Sequence, residues 1–179
     1  MYKGTLTRVF EFDAAHRVMN ERVKCFNLHG HRFKVELTIS YTYTGELGYA
    51  IDFKEIKRVF GEFLDKHFDH TCILNPLDTD LINLCRKNNW RLWVMGLGNT
   101  WDINPSAENM ASELLYIAMY LFKKLGIPIR VSSIKLYETP NCWVEESFPM
   151  YQANDKFLDW LNEETKDLAP MEYDARKVK

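Results

Sequence analysis

Between residues 4 and 13, and again between 31 and 44, apolar and polar side chains alternate along stretches rich in β-branched and aromatic residues. That period of two predicts two long strands, each with one face turned to a core. Thr44-Gly45-Glu46-Leu47-Gly48 has turn chemistry, after which Tyr49-Ala50-Ile51-Asp52 reads as a short strand. At Phe53 the period changes. Phe53, Ile56, Phe60, Phe63, Leu64 and Phe68 fall at helical spacing, opposite Lys54, Glu55, Lys57, Arg58 and Glu62, with Asp52 placed to cap. An amphipathic helix ending near His67 is predicted.

Asp69 to Pro76 reads as irregular and broken by its proline, and residues 77–87 as ambiguous, a short helix being one reading. Trp90 to Met95 predicts a strand. The following Gly96-Leu97-Gly98-Asn99 is a loop without the strand-turn-helix setting of a phosphate-binding fingerprint. Asn104-Pro105-Ser106 opens a second helix, with Ser106 as cap and Glu108 in its first turn. Its buried stripe is Met110, Leu114, Ile117, Ala118, Leu121 and Leu125, and Gly126 with Pro128 ends it. Ile129 to Tyr137 and Cys142 to Phe148 are two more strands around Glu138-Thr139-Pro140-Asn141. This order predicts an α+β domain over residues 1–150, an antiparallel sheet with two helices packed on one face. Residues 151–179 form a C-terminal extension. Phe157, Leu158, Trp160 and Leu161 suit a short amphipathic helix there, and the charged stretch from Glu163 to Lys179 is expected to fray.

A chain of 179 residues can bury one core without staples. Its net charge of −2 offers no field to draw nucleic acid or an anionic membrane, and no apolar run approaches the ~20 residues a membrane span needs. Cys25, Cys72, Cys85 and Cys142 show no C-x-x-C spacing, which argues against a cysteine-only metal site. With no signal peptide in evidence, reduced thiols and a cytoplasmic location are expected.

The chemistry concentrates between Phe12 and His31, which hold three of the five histidines and one of the four cysteines. On a strand, His29 and His31 project to one face. His16 follows the first alternating run and meets them if the two strands pair. Three neutral imidazoles suit zinc and leave a fourth position open for substrate or water. Cys25 is then the nearest strong nucleophile or base. A His-x-His pair alone is equally an ordinary polar decoration of a strand, so spacing leaves both readings open.

The motifs Phe12-x-Ala14-x-His16, Cys25 and Leu28-His29-Gly30-His31 resemble the signature of the 6-pyruvoyltetrahydropterin synthase / 6-carboxytetrahydropterin synthase family. Gly48-x-x-Ile51-Asp52-Phe53, Asp69-His70-x-x-x-Leu74-Asn75, Pro105-Ser106-x-Glu108-Asn109 and Tyr137-Glu138-Thr139 follow in the family's order. The resemblance implies the tunnelling fold (T-fold), whose trimers close a barrel and stack as a hexamer with sites between subunits. It implies a zinc-dependent lyase acting on 7,8-dihydroneopterin triphosphate, with His16, His29 and His31 as zinc ligands. Cys25 matches the residue that moves the side-chain proton, and Asp69 with His70 its acid/base partners. Glu138 matches the carboxylate that anchors the pterin ring, and Ser106 and Glu108 the positions that help hold it.

Three residues separate Cys25 from His29, as in the family's 6-carboxytetrahydropterin synthases of the queuosine and 7-deazaguanine route. That favours formation of 6-carboxy-5,6,7,8-tetrahydropterin, acetaldehyde and triphosphate over the pyruvoyl-forming alternative. A pterin-binding module without turnover would need only Glu138 and its neighbours, not Cys25, Asp69 and His70. Departures are Ser106 in place of the usual threonine and a long tract from Pro76 to Asn104 carrying Trp90, Trp93 and Trp101. That tract either alters the pocket rim or covers a barrel edge. His67, Cys72, Cys85 and Cys142 have no matching role, and Arg17, Lys24, Arg32 and Lys34 are read as solvated basic side chains.

Overall fold

Both long alternating runs are strands, and the ends nearest the histidines reach further than the alternation marks. In a computed structural model, which describes residues 2–44, 46–96, 103–127, 129–149 and 153–170, β1 spans Gly4–His16 and β2 spans His29–Tyr41. They pair antiparallel in unbroken register from Gly4↔Tyr41 to His16↔His29. One face buries Phe12 and Ala14 from β1 and Phe33, Val35, Leu37 and Ile39 from β2. The other carries Thr5, Thr7, Glu11, Asp13, Arg32, Lys34, Glu36 and Thr38.

The predicted first helix is a continuous run of α1 (Phe53–Ile56), a π-helical turn (Lys57–Gly61) and α2 (Glu62–His67). Asp52 caps it by accepting the Lys54 N–H. Ile56, Val59, Phe60, Leu64 and Phe68 are buried on the apolar face of β1 and β2, but Phe53, at the helix start, is half exposed. Gly61 permits the close approach, because a Cβ there would stand 2.8 Å from the Phe10 ring. Tyr49 to Asp52, expected as a strand, is a bend instead.

β3 (Thr71–Leu74) lies within the stretch expected to be irregular, and pairs parallel with β1. Four residues are too few for a period to show in sequence. The ambiguous tract forms α3 (Thr79–Lys87), and β4 (Leu92–Val94) then adds to β3 as the sheet's edge strand. α4 (Ala107–Lys124) is capped by Ser106, whose Oγ accepts the Asn109 N–H at 3.4 Å. Every residue of its predicted stripe is buried, and Gly126 ends it at φ +65°. β5 (Ile129–Thr139) pairs antiparallel with β2, and β6 (Cys142–Glu146) with β5.

The sheet order is β4-β3-β1-β2-β5-β6. The antiparallel sheet expected from sequence is its β1-β2-β5-β6 part; the two short parallel strands make the whole sheet mixed. α5 (Asp155–Glu164) buries Phe157 and Leu161 in the same core as the helices and sheet. Gly45, residues 97–102 with Trp101, Pro128 and the end of the charged stretch, residues 171–179, lie outside the described residues. Among those described, no helix is long and apolar enough to cross a membrane.

Candidate metal and pterin site

The β1–β2 register places His16 directly opposite His29 and Ala14 opposite His31, so all three imidazoles stand on the helix-covered face at one end of the sheet. One ligand nitrogen from each lies within 4.8 Å of the others. His16 is fully buried, and its Nδ1 lies 2.7 Å from the Pro105 carbonyl just ahead of α4. His29 Nδ1 lies 2.7 Å from the Asn27 carbonyl. A carbonyl only accepts, so each Nδ1 carries the proton and each Nε2 presents a lone pair. Those two Nε2 atoms face one another at 3.1 Å. Two facing lone pairs repel unless a cation lies between them. The separation is close to the ~3.3 Å expected between ligands of a tetrahedral zinc with Zn–N of about 2.0–2.1 Å. Burial also holds His16 below the ordinary imidazole range, which keeps it in the neutral, ligating form. The donor set therefore fits a divalent metal ion.

Glu138 joins the group from β5. It follows Ile134 and Leu136 on the core face of β5, at a register shift between Tyr137 and Thr139 in the ladder with β6. Its Oε1 is 3.3 Å from His16 Nε2 and 3.8 Å from His31 Nε2. Ser106 and Glu108 start α4 beside Pro105, with the Ser106 hydroxyl engaged as the cap and Glu108 exposed. Cys25 is half buried in the β1–β2 connection, and its thiol makes no hydrogen bond among the described residues.

Asp69 and His70 form a second group. Asp69 Oδ2 is 2.6 Å from His70 Nδ1, while Oδ1 accepts the Asp13 N–H at 2.9 Å. His70 donates its own N–H to the Asp13 carbonyl at 2.6 Å and is held at φ +53°, in the left-handed region. Burial of Asp69 would raise its pKa, but the Asp13 N–H and His70 outweigh it and hold the carboxyl below its ordinary value. The His70 ring is exposed beside the Asp13–Arg32 ion pair, whose side chains point from the opposite face of the sheet to the three histidines. A single chain thus brings His16, His29, His31 and Glu138 together, and Asp69 with His70, but presents the two groups on different faces.

His67 packs among Phe63, Trp93 and Trp160 and faces Glu164 at 3.0 Å, a position in the fold rather than in the site. Arg32 and Lys34 pair with Asp13 and Glu36. Arg17, read from sequence as solvated, instead makes a two-pronged pair with buried Asp78 at 2.7 and 2.5 Å. Neither this pair nor the Pro105 carbonyl leaves a local signal, because each partner is supplied by a distant segment.

A family model described as 6-pyruvoyl tetrahydropterin synthase matches residues 5–147. The chain is 41% identical over 144 residues to a Rickettsia felis enzyme named 6-carboxy-5,6,7,8-tetrahydropterin synthase, covering 78% of this chain and 96% of that one. An enzyme of the same name from Haemophilus influenzae is 28% identical over 148 residues, with the same shares covered. Among solved structures, an uncharacterized protein from Wolinella succinogenes superposes with TM-score 0.64 at 22% identity, over 80% of this chain and 97% of that one. Caenorhabditis elegans 6-pyruvoyl tetrahydropterin synthase does so with TM-score 0.57 at 20% identity, over 80% and 94%. The mixed sheet and its helices are thus the T-fold, and this chain, homologous to enzymes, belongs to the 6-pyruvoyl tetrahydropterin synthase family.

Proposed function

We propose that the chain is a zinc-dependent 6-carboxytetrahydropterin synthase. It would convert 7,8-dihydroneopterin triphosphate and water to 6-carboxy-5,6,7,8-tetrahydropterin, acetaldehyde and triphosphate. The observation that carries this reading is the convergence of three imidazole nitrogens beside the Glu138 carboxylate. One small molecule can touch both, and Glu138 offers two acceptor oxygens to the amino group and N3–H of a pterin. The three-residue spacer from Cys25 to His29 and the name of the 41%-identical relative favour the carboxy-forming reaction.

His16, His29 and His31 would hold the ion, with His16 and His29 oriented by their carbonyl partners. When bound, zinc supplies Lewis acidity toward the side-chain hydroxyls. Cys25 takes and returns a proton at the side-chain carbons. Asp69 fixes the orientation of the His70 ring, from which His70 would pass a proton to an oxygen as a bond to carbon breaks. Ser106 and Glu108 add hydrogen bonds at the rim of the ring site.

Because Asp69 and His70 stand on the face away from the histidines, a complete site needs the face of another copy. A homo-oligomer, as a hexamer of two trimers, would supply it. Incubation of zinc-loaded protein with dihydroneopterin triphosphate tests the reading by product analysis. Acetaldehyde and the carboxypterin in equal amounts are expected. Pyruvoyl-tetrahydropterin without acetaldehyde would identify the sister activity, and bound but unchanged substrate a module without turnover; either overturns the proposal.

A further inference from the structure

The connection that carries Cys25, residues 17–28, has no helix or strand of its own, and Val23, Phe26 and Leu28 on it are exposed. Core burial therefore does not hold it, and polar contacts must. It closes on itself through Val18 N–H to the Cys25 carbonyl at 2.9 Å. The Met19 N–H and carbonyl pair with the Asn104 side-chain amide at 2.9 and 3.0 Å.

Its strongest tether comes from the tract between Pro76 and Asn104. Asp78, with 1% of its surface exposed, both caps α3 and receives the Arg17 guanidinium in a fork at 2.7 and 2.5 Å. The guanidinium carbon also lies 5.2 Å from the centre of the Phe26 ring, the residue next to Cys25. A planar cation forks onto a carboxylate and packs on an aromatic ring at once, whereas a lysine keeps the charge but loses the two-pronged geometry and the planar stacking. We propose that α3 positions the Cys25 thiol through an Asp78–Arg17–Phe26 brace. This rests on the reading of Cys25 as the proton-moving residue, and makes Asp78, Arg17 and Phe26 positioning residues.

Asp78→Asn separates the brace from the helix cap, since asparagine caps a helix as well as aspartate does but brings no charge to Arg17. In the full zinc-loaded chain, amide exchange over residues 17–28 and alkylation of Cys25 by iodoacetamide, followed by peptide mapping, should each quicken by about threefold or more. With dihydroneopterin triphosphate, kcat should fall about tenfold or more while KM and zinc content hold, because a displaced thiol harms the proton transfer and not the binding. Arg17→Lys should fall between wild type and Asp78→Asn. Phe26→Leu changes an exposed side chain and serves if Asp78→Asn does not fold; it should move the same readouts in the same direction. Unchanged exchange and alkylation would overturn the brace. Quickened exchange with unchanged kcat would leave it a support of the fold and overturn its positioning role. A chain that forms no carboxypterin at all would defeat the functional reading, and exchange and alkylation would still decide the brace.

Discussion

Gly30 lies between two of the proposed metal ligands, and its lack of a side chain has a steric reason. A Cβ at this position would stand 3.1 Å from the Ala14 carbonyl oxygen of the paired strand. That neighbour is backbone inside a ladder, so it can yield only if β2 moves off β1. The same displacement would separate His29 from His16, whose facing nitrogens depend on that pairing. Gly30→Ala should therefore retain the fold and lower zinc affinity by about tenfold to a hundredfold, measured by competition with a chromogenic chelator. Asp69→Asn acts on the other group. An amide cannot accept from both the Asp13 N–H and His70, so the ring loses its orientation, and kcat should drop by about a hundredfold or more at unchanged zinc content. Residues of this kind differ in how far sequence reveals them. The three histidines were legible because strand periodicity puts His29 and His31 on one face and the Cys25 loop returns the chain to His16. Glu138 entered only through the family motif, since a carboxylate that follows Ile134 and Leu136 on the core face of β5 carries no local mark of its partners. Asp78 has no mark in the sequence, because only the fold places Arg17, 61 residues away, beside it.

Among the elements, those with long periodic patterns were the legible ones. The run from Phe53 to His67, α4 and the long strands each repeat their period several times. β4 lies within the strand expected at Trp90–Met95, but β3 is too short to show a period, and its pairing with the edge of β1 is a tertiary fact. α5 shows how such an element is held. Its Phe157 and Leu161 enter the core, and its Glu164 receives His67 of α2 at 3.0 Å beneath the rings of Trp93 and Trp160. Burial lowers the His67 pKa from the model-compound value of 6.5, and this outweighs the opposing pull of Glu164. A histidine lowered in the native state binds fewer protons there than in the unfolded chain as pH drops below 6.5. The native state accordingly loses stability on acidification through that window and keeps its full contribution above it. Glu164 is itself held below 4.5 by Lys66 and His67 despite its burial, so its contribution disappears only at lower pH. Urea unfolding at a series of pH values should show a shallower decline below 6.5 for His67→Gln than for wild type. An identical slope would mean that His67 does not titrate differently in the two states.

At the scale of the whole molecule the two chemical groups impose a constraint on assembly. The histidines and Glu138 open on the helix-covered face of the sheet, whereas His70 stands exposed beside Asp13 and Arg32 on the other. No side-chain rotation moves a group through a sheet, so a site that uses both must take Asp69 and His70 from a neighbouring copy. The exposed Val23 and Leu28 near Cys25 are apolar surface that such a neighbour would cover. Two inactive variants can test this together. His29→Ala removes a metal ligand and keeps Asp69 and His70; His70→Asn does the reverse, with an asparagine that tolerates the left-handed backbone of that position. Each alone should be nearly inert. Co-expressed in equal amounts and purified as mixed oligomers, they should recover about a quarter of wild-type specific activity, because half of the sites hold intact histidines and half of those meet an intact acid/base pair. A site completed within one chain would recover none, since no chain in the mixture carries both groups intact.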